Sequence, residues 1–182
     1  MKLIAKNQLA TLVGLTLALA SIVPGTLNAD DKNDGKPKKD AVTGNFDWSI
    51  VPPNLTAYII PGTDGDLYLR NMPLVGAFNL TGDKVSIQAK ISVQLSGELD
   101  ATATGVLWAP SVITATVEGV KTIIFEGQAK ADTVGLVSTG KATLSGRGPY
   151  EGQQLEFTFE EIGPGNSDTY TLKGQLSCEP RR

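Results

Sequence analysis

Between Lys84 and Ser96 the chain alternates apolar and polar side chains without interruption. Val85, Ile87, Ala89, Ile91, Val93 and Leu95 stand against Ser86, Gln88, Lys90, Ser92, Gln94 and Ser96. Successive side chains of an extended strand point to opposite faces, so this run has one apolar and one wet face. A helix would scatter the same residues around its circumference. The period recurs. Leu99, Ala101, Ala103 and Leu107 share one parity, followed by Ile113, Ala115 and Val117. Ile123, Phe125, Ala129 and Ala131, then Val134, Leu136, Ala142 and Leu144, continue it. Leu155, Phe157 and Phe159 alternate with Gln154, Glu156, Thr158 and Glu160, and Tyr170, Leu172 and Leu176 with Thr171, Lys173 and Gln175. Upstream, Trp48 and Ile50, Leu55 to Ile60, Leu67 to Arg70 and Leu74 to Thr81 are shorter candidates. No stretch carries a sustained 3.6-residue stripe.

The breaks between these segments are short and turn-like: Thr81-Gly82-Asp83, Ser96-Gly97-Glu98, Ala109-Pro110, Glu118-Gly119, Gly146 to Gly152 and Gly163 to Asn166. A parallel crossover needs a dozen or more residues, so short links predict antiparallel neighbours. Closing such a meander removes the edge strands that would template aggregation. The expected fold is all-β, an antiparallel meander closing into an eight-to-ten-stranded barrel, with a two-sheet sandwich as the alternative. A lipid-facing barrel also alternates, but it carries aromatic girdles at both interfaces. Here only 6% of residues are aromatic and the apolar parity is rich in alanine, which suits a tapered interior.

Composition narrows the chemistry. None of the 182 residues is histidine, which excludes Ser-His-Asp and Cys-His catalysis and removes the commonest ligand for zinc, copper and non-haem iron. A single cysteine excludes an intrachain disulfide and a zinc ribbon. No metal and no cofactor is expected. The formal charge of -3 argues against nucleic acid, which rewards a basic face.

The N-terminus stands apart from the alternating region. Lys2 and Lys6 precede an apolar run from Leu9 to Val23, broken by Pro24-Gly25, and Ala29 stands before Asp30-Asp31. These are the parts of a secretory signal peptide over residues 1–29, cleaved after Ala29 or, on the Ala18-Leu19-Ala20 triplet, after Ala20. The run is too short to span a bilayer, so no integral membrane segment is expected after its removal. Losing Lys2 and Lys6 leaves 14 basic against 19 acidic residues, a charge of -5. Residues 30–43 (DDKNDGKPKKDAVT) have few apolar side chains and predict a flexible charged linker. Residues 44–182 then form one domain. The expected location is secreted or periplasmic.

If the apolar parity faces inward, polar groups able to meet a ligand must come from the rims. Trp48, Tyr68, Arg70, Trp108, Arg147 and Tyr150 are the candidate ligand-binding residues, with aromatics to grip a flat or apolar ligand and Arg70 able to bind a carboxylate. Asp64-Gly65-Asp66 matches half of a calcium loop but lacks its later ligands, and predicts a turn. Asn54 and Asn79 head glycosylation sequons. Cys178 follows the last predicted strand.

The segment Gly140 to Phe159 contains Gly146-x-Gly148-x-Tyr150-x-Gly152 between two strands. This pattern resembles the glycine-rich hairpin of allene oxide cyclase and dirigent-type barrels, and also small exported bacterial proteins of unknown function. The resemblance implies an antiparallel barrel around an apolar cavity whose shape steers a reactive substrate, without histidine. It assigns no catalytic residue. Three functions follow, in order of preference. The first is an exported, non-catalytic barrel binding a small apolar ligand or an envelope partner. The second is an isomerase or cyclase of the allene oxide cyclase type. The third is a structural cell-surface protein. The oligomeric state stays open.

Overall fold

The computed structural model describes residues 39–50, 55–135, 137–162 and 168–178. The expected signal peptide, the linker before Lys39, Asn54, Leu136 and the Gly163 to Asn166 connection lie outside the described residues. The elements are ten strands and three short 3-10 turns. The strands are β1 (Lys39–Asp47), β2 (Ser49–Ile50), β3 (Ile59–Pro61), β4 (Leu67–Gly82), β5 (Ser86–Leu99), β6 (Gly105–Val117), β7 (Val120–Val134), β8 (Val137–Gly146), β9 (Gln153–Glu161) and β10 (Thr169–Cys178).

Every pairing is antiparallel, and β4 to β10 follow one another as a meander. β1 closes the ring by pairing with β10 on one side and β4 on the other. Eight strands therefore form a closed barrel. β2 continues the β1 ladder along β4 in the same register, from Phe46↔Phe78 to Ser49↔Val75. β3 is an extra strand on the same flank of β4.

The alternation dictates the wall. Val85, Ile87, Ile91 and Val93 are buried, while Ser86, Gln88, Lys90 and Gln94 are exposed. In β9, Leu155, Phe157 and Phe159 are buried between exposed Glu156, Thr158 and Glu160. The interior is apolar and the outer wall polar, the reverse of a lipid-facing barrel. Among the described residues no helix is long and apolar enough to cross a membrane.

Several local expectations are corrected. Ser96-Gly97-Glu98 and Ala109-Pro110 are not turns but lie inside β5 and β6. The turn between those strands is at Asp100 to Thr104. There Asp100 Oδ1 accepts hydrogen bonds from the Thr102 and Thr104 backbone N–H groups at 2.8 and 3.0 Å, so Ala101 and Ala103 leave the strand pattern. Those bonds, with one from the Thr102 hydroxyl, hold the Asp100 carboxyl below its usual range. A bulge in β7 shifts the register between Ile113↔Phe125 and Thr114↔Ile123. It turns Ile123 outward and buries both Ile124 and Phe125. Val134 is exposed, because β7 turns at Gly135. β1 takes the residues from Lys39 to Thr43 out of the linker, since Asp40 and Val42 are buried on its inner face. Cys178 is the last residue of β10 and packs partly buried against the core.

Candidate functional site

The barrel interior has two unlike halves. At the end formed by the β4–β5, β6–β7 and β8–β9 connections, large side chains meet: Leu80, Ile113, Phe125, Leu144, Leu155 and Leu176 are all fully buried. The glycine-rich hairpin folds over this end. Gly148 and Gly152 take positive φ (56° and 76°), and the turn Gly148–Tyr150 tucks Tyr150 inside, 5.0 Å from Phe125 between ring centroids. Tyr150 is 1% exposed, its hydroxyl finds no hydrogen-bond partner among the described residues, and burial raises its pKa. Arg147 stays outside. It pairs with Glu126 at 2.7 Å and more loosely with Glu151, and the hydrogen bond and charge of Glu126 raise its pKa.

In the other half, the inward positions of β6, β7 and β8 include Ala109, Ala129, Ala131 and Ala142. Four methyl groups stand where the filled half has leucine, isoleucine and phenylalanine, and the difference leaves a partly open cavity of about 240 Å³. Its far wall is Leu69, Met72, Leu74, Ile91 and Val93, and its aromatic side is Phe46, Trp48, Phe157, Phe159 and Tyr170. Phe46 stacks on Tyr170 at 4.8 Å and meets Trp48 edge-on at the same distance. Backbone positions Trp48, because its N–H donates to Asp168 O at 2.9 Å. Asp168 itself has positive φ (51°), a conformation that aspartate tolerates better than most residues.

One polar row crosses this half. Tyr170 faces Glu161 across β10 and β9. The Glu161 carboxylate accepts from the Ser138 backbone N–H at 3.0 Å, and the Ser138 and Thr133 hydroxyls are 2.9 Å apart. All four residues are buried. Burial is the main cause of a Tyr170 pKa pushed up to about 12, and the charges of Glu161 and Asp168 add to it. Hydrogen bonds from Ser138 and Trp48 to the tyrosine oxygen work the other way. The Tyr170 hydroxyl therefore keeps its proton at any ordinary pH and can donate it. The arrangement can hold a small apolar body and hydrogen-bond one polar group.

The six residues singled out in the sequence are dispersed. Trp48 and Trp108 line the cavity, Trp108 with 49% of its surface exposed. Tyr68 lies on the outward parity of β4, opposite Glu98, whose charge raises its pKa. Arg70 is exposed, at a bulge where Asn71 takes positive φ and donates its backbone N–H to Ser96 Oγ at 2.9 Å. Arg147 and Tyr150 belong to the opposite end. Tyr170, Glu161, Ser138 and Thr133 were not singled out, yet continuing the apolar parity of each strand one step past its last apolar residue leads to Glu161 and, in β7, Thr133. The inward face is thus less apolar than its alternation predicts. Asp40, at the other end, is likewise buried and accepts from the Asp83 and Lys84 backbone N–H groups. Asp64 and Gly65 form the turn into β4, closed by Gly62 N–H on Asp66 O at 2.8 Å.

A second, larger concavity of about 620 Å³ lies on the outer wall of β7 to β10. Lys130, Lys141 and Lys173 occupy one cross-strand row there, beside Asp132 and Glu160. It is a shallow, solvated surface of mixed charge and encloses nothing. Compared with known protein families, curated proteins and solved structures, the chain has no significant match.

Proposed function

We propose that the protein is an exported, non-catalytic binding protein that takes one small, largely apolar molecule into the hollow half of its barrel. The cavity supports this reading: a partly open space of about 240 Å³, apolar on most of its wall, with three hydroxyls gathered on one side. It suits a compact hydrocarbon with one polar group rather than a drug-sized ligand. Trp48 in the wall provides a reporter. Titration with 1-octanol should change its fluorescence saturably, and native mass spectrometry of protein purified from its producing cell should show a bound mass. Absence of both would overturn the reading.

One observation favours a second reading, a cyclase or isomerase of the kind implied by the glycine-rich hairpin. Hydroxyls of Tyr170, Ser138 and Thr133 converge beside a buried carboxylate on a largely apolar wall, which suits shape-directed control of a reactive guest. Its test is a substrate that cyclises spontaneously to a racemate. A single-enantiomer product supports catalysis, and a racemate formed at the uncatalysed rate excludes it.

A further inference from the structure

Four polar residues of the hollow half form a single inward-facing row across adjacent strands, Thr133 on β7, Ser138 on β8, Glu161 on β9 and Tyr170 on β10, while Ser111 on β6 lies outside the row and donates its hydroxyl to Ala109 O. The row carries three hydroxyls and one carboxylate. Asp168 adds a second carboxylate to the rim. Among the described residues the one basic side chain on the cavity wall is Lys130, which is exposed on the outward parity of β7, between Ala129 and Ala131. A guest's head group arriving here therefore meets one negative charge inside and a second at the rim, and no inward-facing positive charge among the described residues.

We infer that the cavity selects guests by the charge of the head group: it accepts a neutral hydroxyl or carbonyl and rejects a carboxylate of the same chain length. The inference rests on the binding function proposed above and names its ligand class. Three features carry it. Serine, threonine and tyrosine hydroxyls both donate and accept, so they can satisfy an alcohol or a ketone whichever way its dipole points. The Trp48 indole N–H can only donate, so the Tyr170 oxygen that it bonds is an acceptor there and its proton is left for a guest. A carboxylate in the same place would lose its water, gain no counter-charge and sit beside Glu161 in a low-dielectric wall. Burial makes Tyr170 harder to ionise, and the charges of Glu161 and Asp168 act in the same direction.

The test uses the full chain at pH 8 with two probes of equal length, 1-octanol and octanoate, followed by tryptophan fluorescence and native mass spectrometry. Only binding removed by Ala131→Leu, which fills the cavity, is counted, so that octanoate held by the outer lysines does not enter. The expected result is saturable binding of octanol and at least tenfold weaker binding of octanoate. Glu161→Gln, which keeps an oxygen for the Ser138 N–H, should narrow that ratio several-fold. Asp168→Asn, at the exposed rim, should narrow it less and serves if Glu161→Gln fails to fold. Equal or tighter octanoate binding, or a ratio that folded forms of the two variants leave unchanged, overturns the head-group selection and leaves the cavity reading standing. If neither probe binds, the cavity reading falls and the selection with it.

Discussion

The two halves of the barrel are built from the same strands and differ in which side chains those strands point inward. Along β8, Leu144 fills the hairpin end and Ala142, two residues away, leaves space at the other. Along β7 the same change runs from Phe125 to Ala129 and Ala131. The β7–β8 register is unshifted over these steps, so the two levels differ in the volume of the side chains they point inward. A closed eight-stranded barrel has an interior that side chains can just fill. Replacing bulky residues by alanine on three neighbouring strands is enough to hollow one half while the other keeps the fold rigid. Stability and binding are thereby assigned to different levels of one cylinder.

That division can be broken by experiment. The largest effect is expected in the filled half, where Leu155→Ala should cost about 2–5 kcal/mol, read as a fall in the urea midpoint. Leu74→Ala, on a wall that already borders empty space, should cost less. The reverse order would end the distinction. Next comes alkaline pH. The Tyr170 pKa is raised to about 12 in the folded chain from 10.0, so the native state holds a proton that the unfolded state has released. This contribution is complete below pH 10 and is lost as pH climbs through 12. Denaturation midpoints should fall across that window, and Tyr170→Phe should flatten the decline. Ala131→Leu should reduce octanol binding at least tenfold while changing stability by no more than about 1 kcal/mol, because the added volume enters a void rather than a packed core. Tyr150→Phe should be smaller still, within about 0.5 kcal/mol or slightly stabilising, since the hydroxyl it removes is buried without a partner. Least of all, Arg147→Ala should shift the midpoint only marginally, by an amount that fades as salt is added, because the Glu126 pair is solvated.

The barrel was legible in the sequence because period two survives wherever the wall is regular. β9, and β5 as far as Leu95, can be read residue by residue. Reading failed where one residue was inserted or where a turn-former had another purpose. Ile124 is the inserted residue of a bulge, and every parity assigned across it inverts. Gly97 looks like a turn, but a Cβ there would collide with the Val106 carbonyl and Leu107, so it permits close approach of β5 to β6. Pro110 looks like a break, yet β5 and β6 leave Gln94 and Leu95 unpaired at that level, so the donor that proline lacks is not missed. Glu118-Gly119 was readable because both residues take positive φ (49° and 81°), as a two-residue hairpin turn requires. The candidate site was legible only in part. Trp48 stood out by rarity, whereas Glu161 and Ser138 look like ordinary polar residues near strand ends. What makes them a site is their convergence from neighbouring strands, and one-dimensional order does not display it.

The seam between β1 and β10 has a consequence in time. Lys39 pairs with Ser177, about 138 positions later in the chain, and the remaining strands zip from neighbour to neighbour between them. Sequential hairpins can form as the chain emerges, but the cylinder cannot shut until β10 exists. At ordinary rates of synthesis that delay is on the order of ten seconds. Throughout it β1 has no partner on one side, and the growing sheet presents a bare strand. The contact that leaves the finished molecule without an edge is the last to be made, and during that interval the chain is most exposed to pairing with a copy of itself.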